Sequence, residues 1–133
     1  MNNARTPQAR RPLHLVLAAL ALTGSVALAD HEWAYRGTMD GSLTEGYYRT
    51  HTLTLQGGYT YMFGGQCDED CYDLDLALSN SSGVVARDVA WDDEPAISVY
   101  VPTTRQYEME VSMEECDRSP CGYEVDFYRR AGR

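Results

Sequence analysis

Four cysteines fall in two tight pairs, Cys67-Asp-Glu-Asp-Cys71 and Cys116-Asp-Arg-Ser-Pro-Cys121. An even number of cysteines reads first as disulfides if the chain is exported, as its first 29 residues indicate below. Three connectivities are open, and the local one, 67–71 with 116–121, is the simplest. The competing chemistry is a four-cysteine zinc site, whose paired ligands stand roughly two to four residues apart. Acidic flanks and an oxidising compartment count against zinc. Neither pair has the C-x-x-C spacing of a thioredoxin-like redox site. Acids crowd the same stretches: Asp68, Glu69 and Asp70; Asp92, Asp93 and Glu94; Glu114, Glu115 and Asp117. Carboxylates brought together repel one another unless they are solvated or neutralised. Calcium, which takes about six to eight oxygen ligands in flexible geometry, is the cation they would suit. Asp73 and Asp75 would extend such a site, although no EF-hand loop occurs. The plainer reading is a solvated acidic surface.

Behind the first 29 residues only His31 and His51 remain as histidines. A processed amino terminus close to His31 would chelate Cu²⁺ through amide and imidazole nitrogens. That raises a copper redox alternative, a small exported protein with superoxide dismutase-like chemistry, though two histidines are few for it. Hydrolytic chemistry finds no G-x-S-x-G nucleophile elbow. A carboxylate pair for glycoside cleavage can be drawn on paper from so many acids, but a small sandwich offers little cleft. No residue is assigned a catalytic role.

The chain carries 11 arginines and no lysine against 20 acids, a formal charge of −9. Arg5, Arg10 and Arg11 precede an apolar run, Leu13 to Leu22, and Ala27-Leu-Ala29 follows. A positive segment, a short apolar stretch and an A-x-A site form a secretory signal peptide over residues 1–29. Without it, eight arginines face 20 acids and the charge becomes −12. Such a balance argues against nucleic-acid binding, where a basic footprint supplies most of the affinity, and disfavours adhesion to anionic lipid. No further apolar segment has membrane-spanning length. The expected location is therefore periplasm, cell envelope or extracellular space.

The elements that must position these groups are strands. Alternation is clear in His51-Thr-Leu-Thr-Leu55, in Tyr72-Asp-Leu-Asp-Leu-Ala-Leu78 and in Tyr107-Glu-Met-Glu-Val-Ser-Met113. Gln56-Gly-Gly58 and Ser79-Asn-Ser-Ser-Gly83 punctuate them as turns. Strands are predicted to begin near residues 48, 59, 72, 84, 96, 107 and 123. Their spacing, without an amphipathic helix, predicts an all-β antiparallel sandwich, jelly-roll or Ig-like, of about seven or eight strands. Residues 30–46 read as a lead-in with at most one short strand, 47–129 as the sandwich and 130–133 as a tail. Tyr47, Tyr48, Tyr100 and Tyr128 are candidates for exposure, where tyrosine suits protein or glycan contact; the plainer reading is that strands favour aromatic residues in any case. Trp91 is expected to cap the core.

Because each antiparallel connection reverses direction, alternate loops share one end of a sandwich. Loops 64–71, 91–95 and 114–122 are therefore predicted to meet, with nine carboxylates and both cysteine pairs. Loops 56–58, 79–83 and 102–106, rich in Gly, Ser, Asn and Thr, fall at the other end.

From about Gly41 to Tyr128 the chain resembles the bacterial pre-peptidase C-terminal domain. The carrying residues are Gly57-Gly58-Tyr59-Thr-Tyr61, then Asp73-Leu-Asp-Leu-Ala-Leu78 with its turn Ser79 to Gly83. Val101-Pro102 leading to Tyr107-Glu-Met-Glu-Val111 and the closing Tyr123-Glu-Val-Asp-Phe127 complete it. Departures are Arg105 or Gln106 in place of a glycine, a single Glu45 in place of an acidic pair, and both cysteine loops. The resemblance implies a non-catalytic β-sandwich accessory domain, calcium-binding in some members. Its expected partner is an envelope or surface-layer protein or polymer.

Overall fold

The computed structural model describes residues 32–133, and every regular element among them is a β-strand. The strands are β1 (Ala34–Leu43), β2 (Tyr47–Leu55), β3 (Tyr59–Cys67), β4 (Cys71–Asn80), β5 (Gly83–Asp88), β6 (Ala96–Val101), β7 (Arg105–Cys116) and β8 (Cys121–Ala131). They pair antiparallel into two four-stranded sheets, ordered β1-β8-β3-β6 and β2-β7-β4-β5. This interleaving, with the first and last strands side by side, is the jelly-roll order. The seven predicted strand starts fall within two residues of the observed ones.

Alternation along each strand builds the core. Leu74, Leu76 and Leu78 of β4 face Met109, Val111 and Met113 of β7, and all six are fully buried. The first sheet contributes Tyr61, Phe63 and Val125, with Phe127 stacked on Phe63 at 5.6 Å between ring centroids. Core closure at one end is by Pro95, which lies so close to β3 that a Cβ on Gly65 would meet its Cγ at 2.9 Å.

The segment 34–43, read as lead-in with at most one short strand, is a ten-residue strand paired to β8 along its length. Its alternation is hidden in the sequence because glycines occupy two positions and only Met39 and Leu43 are buried hydrophobics. A register shift between Tyr35 and Gly37 breaks the pattern further. At the other terminus β8 runs to Ala131, so the first half of the expected tail belongs to the closing strand. Residues 1–29, the predicted signal peptide, lie outside the described residues. No helix among those described is long and apolar enough to cross a membrane.

Candidate functional site

The two disulfides are local, Cys67–Cys71 and Cys116–Cys121, and they close neighbouring hairpin ends of β3–β4 and β7–β8. Cys71 and Cys116 are register partners across β4 and β7. The two loops hold each other. Asp117 N–H donates to the Asp70 carbonyl (2.9 Å), Asp68 N–H to the Gly122 carbonyl (3.1 Å), and Gly122 N–H to the Asp68 carboxylate (2.6 Å). The β5–β6 loop joins them, with Leu74 N–H on the Asp92 carbonyl at 2.9 Å. The β1–β2 turn completes the pole: Glu45 accepts Cys116 N–H at 3.0 Å, and its own N–H reaches Ser119 Oγ at 3.1 Å. The structure thus brings together the three acidic loops that strand alternation placed at one end.

Several of these carboxylates cap backbone amides. Asp68 accepts Asp70 N–H (3.2 Å), Asp92 accepts Glu94 N–H (2.9 Å), and Asp88 accepts Ala90 and Ala96 N–H (3.1 and 2.9 Å). The bonds to Asp70, Ala90 and Glu94 are Asx-type turns, in which a short acidic side chain replaces a turn hydrogen bond, and the bond to Ala96 ties the end of β5 to the start of β6. Glu69, Asp93, Glu94, Glu114 and Asp117 are exposed. Arg118 approaches Asp70 at 3.8 Å, the ion pair found among the described residues. The donors are all oxygen, which suits calcium chemically. As arranged, no three His, Cys, Asp or Glu side chains among the described residues are grouped to hold a metal ion.

Asp73 and Asp75 project from β4 beside this pole, each with one buried carboxylate oxygen lacking a hydrogen-bond partner. Burial, and after it the charges of Asp73 and Glu114, push the Asp75 carboxyl up to about 6. Asp73 is also raised, chiefly by burial. Across β7 from Asp75 stands Ser112, and across β2 from that stands Tyr48.

Exposed aromatic residues occupy the same pole. Tyr47 and Tyr48 at the start of β2 are 66% and 64% exposed, Tyr72 at the start of β4 is 48% exposed, and Trp91 is 74% exposed. Trp91 does not cap the core, because Pro95 fills that place; its indole N–H donates to Glu115 at 3.1 Å. Tyr72 carries no signal of its own in the sequence, since it opens a well-alternating strand where an aromatic residue is ordinary. Tyr100 and Tyr128, candidates for exposure, are half-buried on the outer side of the other sheet.

The copper alternative rested on His31, outside the described residues, and on His51. His51 is half-buried on β2, its Nε2 2.8 Å from the Tyr123 hydroxyl. Burial, and then the Arg49 charge, lower its pKa. Its partner is a tyrosine, so no Ser-His-Asp relay is assembled on it. Near Tyr123 an open groove of about 400 Å³ is lined by Asp40, Gln66, Asp68 and Glu124.

No family model matches the chain, and no curated protein sequence matches it. Among solved structures, the fold is similar to a periplasmic lysozyme inhibitor of g-type lysozyme, PliG of Aeromonas hydrophila, with a TM-score of 0.53. Sequence identity is 13%, over 73% of this chain and 88% of that one. The similarity is one of fold alone.

Proposed function

We propose that the chain is an exported, non-catalytic protein-binding module whose acidic pole docks on a basic protein, with a g-type lysozyme as the first target to test. The carrying observation is that Tyr47, Tyr48, Tyr72 and Trp91 are exposed on the same pole as the carboxylates of the disulfide-closed loops, at the starts of β2 and β4 and in the β5–β6 loop. Exposed tryptophan and tyrosine are the side chains that dominate binding energy at protein interfaces. Loops already tied to each other lose little freedom on binding, and the surrounding charge steers a basic partner into place. The fold shared with a lysozyme inhibitor, and cysteines that have formed disulfides, support export and a protein target.

The test is lysis of a cell-wall suspension by g-type lysozyme, with the mature protein added at increasing ionic strength. Inhibition that weakens with salt, and is lost in a Trp91→Ala protein, is expected. Undiminished lysis, together with no complex in calorimetry at low salt, would rule out that target. Salt-independent binding would remove the electrostatic part of the reading.

A further inference from the structure

The pole opposite the acids has the reverse character. Its turns carry no carboxylate: Gln56 to Gly58, Ser81 to Gly83 and Pro102 to Thr104. Five of the eight arginines behind residue 29 gather there: Arg36, Arg105, Arg129, Arg130 and Arg133. Strand alternation explains it, because β8 leaves the acidic pole at Cys121 and ends among arginines at the far side. Core positions Val125 and Phe127 put Asp126, Tyr128 and Arg130 on the outer face of the first sheet. There Arg130 lies over Trp33 at 4.8 Å, and Arg133 over Tyr100 at 4.7 Å. Tyr35 meets Tyr128 edge-on at 5.6 Å. Thr60 separates Arg130 from Tyr100 in the register. Neither arginine has a carboxylate partner among the described residues, and Arg130 Nε is buried without a hydrogen-bond partner.

We infer that this face is a second binding site, separate from the acidic pole, for an acidic polysaccharide of uronic-acid type. Exposed Tyr35, edge-on to half-buried Tyr128, gives the C–H faces of sugar rings an aromatic surface, and Trp33 backs the Arg130 guanidinium. Arg130 and Arg133 take the sugar carboxylates, for which the planar guanidinium fork is suited. Asp126, fixed by Thr38, and the Thr38 hydroxyl, 2.7 Å from Tyr35 Oη, border the rings. A carboxylate at that place accepts sugar hydroxyls, and it opposes the dense phosphates of nucleic acid or an anionic bilayer more strongly than carboxylates spaced one per sugar ring. The overall charge of −12 does not cancel the site. The ten steps of β8 separate the poles by roughly 30 Å, against a screening length of about 8 Å at physiological salt.

The probe is an oligomer of galacturonic acid, with a neutral galactose oligomer as control, in chelator so that no cation bridges. Binding is read by calorimetry and by Trp33 fluorescence in a Trp91→Phe protein. Galacturonate binding is expected, with Arg130→Gln weakening it about ten-fold, the scale of one charge-assisted hydrogen bond. Tyr35→Ala, at a site 57% exposed and so safe for folding, is expected to weaken it as well. Trp91→Phe leaves it unchanged, because that residue belongs to the other pole. Equal binding of the neutral oligomer, no binding of either, or binding only of single-stranded DNA or phosphatidylglycerol vesicles would each overturn the inference. Loss of lysozyme inhibition has no bearing on these readouts.

Discussion

Asp75 shows what a single residue contributes at this pole. Its carboxyl titrates near 6 because half-burial and neighbouring acids penalise the charge. The folded form therefore holds a proton that the unfolded chain has released between about pH 4 and 6. Stability from this group is present at the acid end of that window and lost as pH rises through it. Asp75→Asn is expected to raise stability at pH 7 by about 1 kcal/mol, reduced from the full effect by solvent screening. The advantage disappears at pH 4, and thermal melts at the two pH values measure it. Trp91→Ala behaves oppositely. Because its side chain is exposed, stability is expected to change by no more than about 0.5 kcal/mol, while capture of the basic partner falls about ten-fold or more. A melting point that drops with affinity would show that Trp91 is structural.

At the scale of elements, the disulfides stiffen hairpin ends and do not carry the fold. Loops of four and five residues remove little entropy from the unfolded chain, about 2 kcal/mol each in the chain-entropy model. Replacing Cys116 and Cys121 together by serine is expected to cost about that much in urea denaturation, with the β-sandwich retained. A much larger loss would mean that the loop network through Asp68, Asp70 and Asp117 depends on the bridge. Gly65→Ala tests the other closure of the pole. The added carbon would press on Pro95 at 2.9 Å, and overpacking of this kind costs about 1–3 kcal/mol. Strand β1 was the element least readable in advance. Its two glycines and its bulge erase the alternation, and its place beside β8 depends on pairing partners nearly ninety residues away.

At the scale of the whole molecule, the described residues form a charge dipole, acidic at the disulfide end and basic at the far end of β8. Association with a basic protein is expected to slow steeply as salt increases from 20 to 200 mM, values chosen to take the screening length from roughly 20 Å to under 10 Å. Stopped-flow mixing gives the rate. A rate indifferent to salt would show that the acidic end does not steer the partner.

Local pattern was sufficient for the strands from β2 onward, for the antiparallel sandwich and for the acidic pole, because a period of two and the reversal at each turn are short-range rules. Tertiary structure alone decided which strands are neighbours. It made the disulfides local out of three possibilities, turned Asp68, Asp88 and Asp92 into turn caps, and left Trp91 outside while Pro95 closed the core. The arginine-aromatic face follows from the same alternation rule applied to β8, yet its depth depended on Trp33, Tyr35 and Tyr100 arriving from β6 and from β1 with its leading residues. Such pairings lie between strands distant in sequence, and no residue's own neighbours along the chain encode them.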